Sequence, residues 1–435
     1  MRKFIYIVFA AALFATSCEQ EQPVVDPGNG ELPIFNGYMQ FSTEVSTRTK
    51  LATDMKGKAF GVIGYEYSST AFWSGAKSTT MPNAFYNQRV DCDANNGTCQ
   101  YDSENPSQVG NKPKPWGDYR YAFFAYHPFN GAGITLSGED VTNTPMLTYT
   151  YGWLNPSGSP DWIDNKWDID GDTNFESVID LTHSNAPVFD LMTAEAVDVT
   201  GDGSGRVELD FKHRMFAIEV LANNYNENVY EYAKDADGNF ILDKDGNKTY
   251  KLDENGNKII ADGGSARQDI TNLTLTLEGL SNTAMTIPLS TKDKDENDKV
   301  YQPSYVKGDV GTRHFRVSSK KVTIPAFNEV TSDGRGEGVA TSISQFGSTT
   351  GGYLMLIPQA GSTSGITGTL RWDQLDDFIK DSGDKTAVSN VFNSTIDFEP
   401  GKLYQVYINF VGDGITIALI AAGNWDTHNV THTFE

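Results

Sequence analysis

The sequence of 435 residues predicts an all-β protein made of two β-sandwich domains. Short runs of alternating apolar residues, such as residues 207–211 and 404–410, recur along the chain, and turn residues separate them roughly every 8–12 positions. Apolar stripes with the period of a helix are almost absent. Because one sandwich rarely needs so long a chain, we expect two. The predicted organisation is a leader at 1–17, a flexible tether at 18–34, an N-terminal domain at 35–204 and a C-terminal domain at 205–435.

The first residues are typical of an exported leader. Arg2 and Lys3 precede an apolar run over residues 4–14, and small residues lead up to Cys18. The run is about ten residues long, which is too short to cross a bilayer. Cys18 stands where a lipoprotein signal peptidase leaves a lipid-modified N-terminus, although Ala15 occupies the position where leucine is usual. We therefore predict lipidation of Cys18, with an ordinary signal peptide as the alternative.

The tether and the charge of the chain limit its partners. Residues 19–33 are acidic, contain proline and show no periodicity, which predicts a flexible connection between the lipid and the first domain. The formal net charge of the chain is −23, and the leader carries two of its basic residues. So acidic a protein is a poor partner for nucleic acid or for an anionic membrane surface.

Two cysteines remain for the folded part of the chain. Cys92 and Cys99 bracket a segment that contains the turn pair Asn96 and Gly97. In an exported protein this arrangement predicts a local disulfide that pins a hairpin. A redox or metal role for two cysteines alone is the alternative.

The segment 149–175 is rich in large aromatic residues, and it also contains prolines and glycine. Trp153, Trp162 and Trp167 are candidates for a stacking platform that binds a sugar or a peptide. The alternative is that the loop folds back and buries these rings over the sandwich.

Asp168, Asp170 and Asp172 alternate as the first ligands of a calcium loop do. The match then fails, because Thr173 replaces the glycine of the sharp turn and Ile179 replaces the closing glutamate. The three aspartates are therefore a weak calcium candidate, and a plain acidic surface loop is the alternative. The sequence contains no nucleophile elbow, His-Glu-x-x-His motif or phosphate-binding loop before a helix, so we predict a protein without cofactor or enzymatic activity.

Three similar turns follow one another in the second half of the chain, at residues 235–239, 243–247 and 253–257. Each contains an Asp-Gly or Asn-Gly pair, which favours a tight turn with positive φ. The short segments between them are typical of strands. This pattern predicts a β-meander inserted into the second domain.

The C-terminal part is predicted to contain one short helix and an alternating tail. A helix over residues 372–380 would place Leu375, Phe378 and Ile379 on one side. Residues 415–421 alternate as a strand does, and the chain continues through a tail to residue 434.

Four stretches, taken in order, resemble the fimbrillins, which are two-domain pilus subunits and related lipoproteins of Gram-negative anaerobes. They are Tyr-Ala-Phe-Phe-Ala-Tyr-His-Pro at 121–128, Asp-Leu-Met-Thr-Ala at 190–194, Leu-Asp-Phe-Lys-His-Arg-Met at 209–215 and Phe-Glu-Pro-Gly-Lys-Leu-Tyr at 398–404. The resemblance implies tandem transthyretin-like Greek-key sandwiches at the cell outer membrane. It also implies a tip, accessory or stalk subunit of a pilus (fimbrium) that acts in adhesion. A surface lipoprotein that binds a glycan or a host protein without pilus assembly is the alternative.

The resemblance also implies a route of assembly with other pilus subunits. In fimbrillins a protease cuts after a basic residue near the N-terminus, and this cut removes the lipid and the first strand. A strand from the next subunit then fills the vacated groove. In this chain residues 37–45 are the predicted first strand, Arg48 is the first candidate for cleavage and Lys50 the second. Residues 415–434 are the expected donor, and the alternative is that these strands complete the second sandwich. The alternative is that Arg48 is an exposed turn residue and the lipid stays.

Overall fold

The computed structural model of the protein describes a large part of the chain. The described residues are 40–45, 55–95, 99–101, 114–138, 145–154, 158–167, 174–183, 185–201, 206–290, 303–308, 310–318, 320–328, 340–346, 352–359, 366–375, 385–394, 397–412 and 414–424.

These residues are almost entirely β-structure, with one helix, α1 (Trp73–Ala76), of a single turn. The all-β prediction is therefore confirmed. In chain order the strands are β1 (Gln40–Val45), β2 (Ala59–Ser68), β3 (Phe85–Cys92), β4 (Cys99–Tyr101), β5 (Tyr119–His127), β6 (Ile134–Ser137), β7 (Met146–Thr150), β8 (Ile163–Trp167), β9 (Glu176–Ile179), β10 (Met192–Val199), β11 (Arg206–His213), β12 (Phe216–Asn224), β13 (Gln268–Glu278), β14 (Asn282–Pro288), β15 (Ser304–Lys307), β16 (Arg313–Arg316), β17 (Val322–Ile324), β18 (Thr341–Ser342), β19 (Leu354–Leu356), β20 (Ile366–Leu375), β21 (Lys385–Ser394), β22 (Lys402–Val411) and β23 (Gly414–Asn424).

Seven strands close into a ring in the order β1-β11-β10-β5-β2-β3-β4. Strands β5 and β11 supply alternating inward side chains, because successive residues of a strand point to opposite faces. Phe60, Phe123 and Phe211 lie fully buried inside this ring. The ring therefore has a core of its own.

Three further sheets surround a larger core. A sheet with β18, β12, β22 and β23 also takes β19 onto β12. A second sheet runs β21-β20-β13-β16-β9-β8 with β17 on β13, and a third runs β15-β14-β7-β6. Trp372, Phe315 and Phe216 are fully buried in the core that these sheets share.

Strand pairing crosses the predicted boundary at residue 204. Strand β11 pairs with β10 and β1, β14 pairs with β7, and β16 pairs with β9. The division of the chain at that residue stays a prediction, and strands on both sides of it share hydrogen-bonded sheets.

The predicted helix at 372–380 is wrong for its first residues, because 372–375 belong to strand β20. Ile366, Gly368, Leu370 and Trp372 are buried, and the residues that alternate with them are half-buried. This alternation has the period of a strand and pairs β20 with β13 and β21 along its length. Residues 376–380 lie outside the described residues.

The predicted insertion forms the expected series of hairpins at residues 229–264. Gly238, Gly246 and Gly256 all have positive φ, as the turn sequences require. The antiparallel bridges of the insertion are Tyr230 with Ile260, Tyr232 with Tyr250, Lys234 with Phe240, Leu242 with Lys248, and Leu252 with Lys258.

The hairpins of the insertion meet in closed rings of backbone hydrogen bonds. The amide of Ala233 donates to Thr249, that of Thr249 to Ile241, and that of Ile241 back to Ala233, at 2.9–3.0 Å. Residues 231, 259 and 251 close a second ring, and residues 229, 264 and 261 close a third. In the first two rings three segments of chain satisfy one another's backbone groups, and in the third residue 229 closes onto the turn at 261–264.

Within the described residues, no helix has the length and apolar character needed to cross a membrane.

Candidate functional site

The candidate site is the place of the first strand in the ring. Strand β1 runs parallel to β11 over six residue pairs, from Gln40 opposite Arg206 to Val45 opposite Phe211. On its other side it meets β4 at one pair, Phe41 opposite Cys99. Strand β1 thus closes the ring, and it is joined much more extensively to β11 than to β4.

Strand β11 presents an apolar face at this site. Val207, Leu209 and Phe211 are at most 1 % exposed, while the residues between them are exposed. The parallel register sets Phe41, Thr43 and Val45 of β1 opposite these three residues. A ring without β1 would leave one edge of β11 without a hydrogen-bonding partner beside this apolar face.

A disulfide supports the other side of the site. Cys92 and Cys99 face each other on β3 and β4, their Cα atoms are 3.9 Å apart, and both are buried. Strand β4 has only three residues, so the covalent link holds it against β3 next to the place of β1. The pairing of these two cysteines is as predicted from the sequence.

Three of the fimbrillin-like stretches lie side by side. They form parts of β5, β10 and β11, and Met192 of β10 is opposite both His127 of β5 and His213 of β11. The imidazole Nδ1 of His213 lies 2.7–2.8 Å from the Asp190 carboxylate, and both side chains are buried. This buried polar contact joins the end of β11 to the segment just before β10, and it gives both polar side chains a hydrogen-bonding partner.

His127 is held at the end of β5. Its Nδ1 is 2.7 Å from the carbonyl oxygen of Ala59, and because a carbonyl only accepts, that nitrogen carries the proton. Burial lowers the pKa of His127 to about 4. The ring is therefore neutral near pH 7 and ties β5 to the start of β2.

The fourth fimbrillin-like stretch reaches the same junction. The amide of Gly401 donates to the carbonyl of Met215 at 2.8 Å, directly after the end of β11. Phe398 packs on Tyr404 at 4.4 Å between ring centroids. The Tyr404 hydroxyl donates to the Asp397 carbonyl at 2.9 Å and accepts the Glu399 amide at 3.0 Å. This turn leads into β22, the neighbour of the last described strand.

Comparison with known proteins bears on these strands. No protein-family model matches the sequence. A curated protein of Phocaeicola vulgatus, fimbrium subunit Fim1C, is 23 % identical over 223 residues. The chain spans about half the length of this relative, and the match covers half of the chain. The predicted resemblance to the fimbrillins is confirmed.

Two solved structures are also similar to this fimbrillin-like chain. A fimbrial protein from Bacteroides vulgatus has 15 % identity and a TM-score of 0.46, with 90 % of this chain and all of that chain covered. A candidate cell adhesion protein from Bacteroides ovatus has 13 % identity and a TM-score of 0.42, with 90 % and 99 % covered. At such TM-scores we take the fold class from the strand pairing alone.

The last described strand lies at the edge of its sheet. Strand β23 pairs with β22 from Gly414 to Asn424, and no other strand among the described residues pairs with it in that sheet. Ile415, Ile417 and Leu419 are half-buried and pack against the larger core. The tail from residue 425 lies outside the described residues.

The predicted aromatic platform is not found on the surface. Trp153 and Trp162 are 3 % and 6 % exposed. Trp153 stacks on Tyr151 at 4.3 Å and meets Phe315 edge-on at 5.3 Å. Neither ring is available to a ligand in this structure, which favours the alternative that the loop packs onto the core. Trp167 ends strand β8, and its side chain lies outside the described part of the chain.

Several predicted site residues are not described by the structure. These are Cys18, Arg48, Lys50, Asp168, Asp170 and Asp172, which all lie outside the described residues. Among the side chains that are described, no group of three or more metal-binding residues comes together.

The sequence did not reveal which strand pairs with β1. The alternation of residues 207–211 indicated a strand with one buried face. Its parallel partner β1, however, lies far earlier in the chain, at Gln40–Val45. The Asp190–His213 pair was also missed. The only signal was His213, a polar residue at an inward position of strand β11, whereas Asp190 precedes β10 and carries no strand pattern.

Proposed function

We propose that this chain is a fimbrillin-like surface lipoprotein that serves as a subunit of a fimbrium, in a tip, accessory or stalk position, and acts in adhesion. The name of the curated relative, a fimbrium subunit, supports this role. That name describes a structural protein, in agreement with the prediction of a chain without enzymatic activity. The proposal includes a lipid on Cys18 that holds the newly exported chain at the outer membrane.

One observation carries the proposal: the strand that closes the ring is also the first of the described strands. The candidate cleavage sites, Arg48 and Lys50, follow the end of β1 by three and five residues. A cut there would leave β1 without a covalent link to the rest of the subunit, held through its backbone pairing with β11 and β4. Its release would expose the edge of β11 and the apolar side chains of Val207, Leu209 and Phe211.

A strand from the next subunit would then take the place of β1. Adding a strand to an open edge restores the backbone hydrogen bonds and buries alternate side chains. The expected donor is residues 415–434. Strand β23 supports this choice, because among the described residues it lies at the edge of its sheet and pairs there with β22 alone. The partners in this proposal are other pilus subunits.

The first test is the N-terminus of the protein recovered from the cell surface, measured by mass spectrometry. We expect a start at Thr49 or Leu51 and no acylated Cys18. Arg48→Ala combined with Lys50→Ala should keep the lipid and abolish the ladders of polymer on unheated gels. Lys244→Ala, at an exposed turn of the insertion, is the matched control and should leave both unchanged. Polymer built from chains that keep acylated Cys18 would refute the mechanism.

A second test locks the first strand in place. Ser42 is opposite Glu208 in the parallel register. A disulfide between Ser42→Cys and Glu208→Cys should hold β1 after proteolysis, so that cleaved monomers polymerise only after reduction. Each single variant, treated with the same reductant, is the control. Polymer formation by the locked and oxidised double variant would show that the place of β1 is not the acceptor.

A further inference from the structure

The insertion at 229–264 has a face that the proposed assembly does not use. Its bridged residues are opposite one another in antiparallel pairs, so their side chains share one side of the hairpins. Four of them are aromatic, Tyr230, Tyr232, Phe240 and Tyr250. Tyr232 stacks on Tyr250 at 5.1 Å and meets Phe240 edge-on at 5.9 Å, and Tyr230 meets Tyr250 at 5.7 Å. The rings therefore form one continuous patch, the aromatic–lysine face.

Three lysines complete this face. The ammonium of Lys248 lies 3.8 Å from the Phe240 centroid, and that of Lys258 lies 4.4 Å from the Tyr250 centroid. Lys234 lies 5.2 Å from Phe240. None of the three forms an ion pair with a carboxylate of the described residues, whereas Lys251 in the same insertion pairs with Glu231 at 2.8 Å. Their positive charges are held by ring faces instead.

Acidic residues are kept away from this face. The five bridged pairs contain none. In the turns, Asp235, Asp243 and Asp253 each accept backbone amides of their own turn through Oδ1. The positive charges thus lie among aromatic rings, and the turns that adjoin these residues along the chain are acidic, on a chain whose net charge is −23.

The face is exposed and held in shape. Tyr232, Phe240 and Tyr250 are 37–41 % exposed, so the rings do not form a core. The three closed rings of backbone hydrogen bonds fix the segments that carry them. A ligand that binds here meets side chains on an ordered backbone and pays little for ordering it.

We infer that the aromatic–lysine face is a binding site for an acidic glycan, a saccharide that presents a carboxylate or sulfate beside an apolar sugar face. Aromatic rings stack on the C–H face of a sugar, and the lysine ammonium groups bind its anionic group. The acidic residues of the adjoining turns favour a compact ligand with a local charge, because an extended anionic surface would also meet those carboxylates. The inference does not depend on fimbrial assembly, since a single soluble chain carries the whole face.

The test uses the soluble mature chain without its lipid and three probes: 3′-sialyllactose, oligogalacturonate and neutral lactose. Calorimetry or a glycan array should show binding of at least one acidic probe and none of lactose. Lys248→Gln and Tyr232→Ala should each weaken that binding about tenfold or more. Lys244→Gln removes the same charge from a turn of the same insertion, and it should leave the binding within a factor of about two.

A deletion checks that a loss of binding is not a loss of fold. Residues 230–260 can be replaced by a short Gly-Ser link, because Val229 and Ala261 are joined by a backbone hydrogen bond of 2.8 Å. The shortened chain should unfold cooperatively like the parent and bind no acidic probe.

Four results would overturn the inference. They are no binding of either acidic probe, equal losses in Lys248→Gln and Lys244→Gln, binding that survives the deletion, and binding to anionic phospholipid vesicles in place of the saccharides. Self-association of the chain that Lys248→Gln abolishes, without saccharide binding, would also overturn it and would assign the face to a contact between copies.

Discussion

The strand ring and the insertion are both built of short strands, but they are stabilised in different ways. In the ring, Phe60, Phe123 and Phe211 are fully buried. In the insertion, Phe240 and Leu242 are 41 % and 55 % exposed, and closed rings of backbone hydrogen bonds hold the chain. Apolar burial supplies most of the stability of a folded domain, whereas a hydrogen bond adds little net. The ring is therefore expected to set the stability of the protein, and the insertion to present side chains.

The largest expected effect is a difference in stability between two matched substitutions, one in the strand ring and one in the insertion. Phe211→Ala removes a ring that packs edge-on against Phe60 at 5.2 Å, and it should lower the free energy of unfolding by about 3–5 kcal/mol. Phe240→Ala makes the same chemical change in the insertion, where it should cost less than about 1 kcal/mol. Urea unfolding of the two variants measures the difference. Equal losses would mean that the insertion is part of the cooperative core.

The sequence shows which face of strand β11 is buried, but it does not show which strand pairs with β11. Alternation assigns Val207, Leu209 and Phe211 to one buried face, since a strand has a period of two. Nothing local specifies that β1 lies beside them, because a parallel pairing joins segments that are remote along the chain. The same limit applies to Trp153 and Trp162, whose burial depends on distant residues such as Phe315.

In the insertion the turns were predictable and their closure was not. The Asp-Gly and Asn-Gly pairs fix the positive φ of Gly238, Gly246 and Gly256. A flat meander and a set of closed rings use the same turns. They differ only in how successive hairpins are oriented relative to one another. The helix expected at 372–380 failed for a similar reason, because the alternation that begins at Ile366 continues through Trp372.

The second prediction concerns the pH dependence of the ring. His127 has a folded pKa of about 4, below its ordinary value of 6.5, so the folded state binds fewer protons than the unfolded state between these pH values. Stability should therefore fall as the pH drops from 6.5 to 4, by about 3 kcal/mol from this residue. Lys58, Asp190 and His213 are the other titratable groups that act on it.

His127→Gln isolates this contribution, because glutamine can still donate to the Ala59 carbonyl and does not titrate. Between pH 7 and pH 4.5 the free energy of unfolding should fall less in the variant than in the parent protein. The insertion contains no buried histidine and provides no such term. An unchanged slope in the variant would place the acid sensitivity elsewhere.

The third prediction removes the covalent link of the ring. Cys92→Ser with Cys99→Ser opens a loop with a sequence separation of 7, and the expected loss is about 2 kcal/mol. Urea unfolding of the parent in the presence of reductant should show the same loss. A variant as stable as the parent would mean that the strand pairing alone holds β4 against β3.

The smallest expected effect tests the insertion itself. Gly246 has φ +84° at an open turn with no atom within 4 Å of an added Cβ, so Gly246→Ala introduces backbone strain without a clash. The expected cost is about 1 kcal/mol, confined to the insertion. Hydrogen exchange of the Thr249 and Ile241 amides, which belong to the nearest closed ring, should accelerate while amides of β11 stay unchanged.

Gly75→Ala is the matched control, because Gly75 lies in α1, also has open space around its Cβ, and has no positive φ. If exchange of the Thr249 and Ile241 amides were unchanged or slower after Gly246→Ala, the closed rings would not depend on the turn. Faster exchange throughout the ring of strands would instead show that the insertion and the ring unfold as one unit, and the contrast between the two regions would be lost.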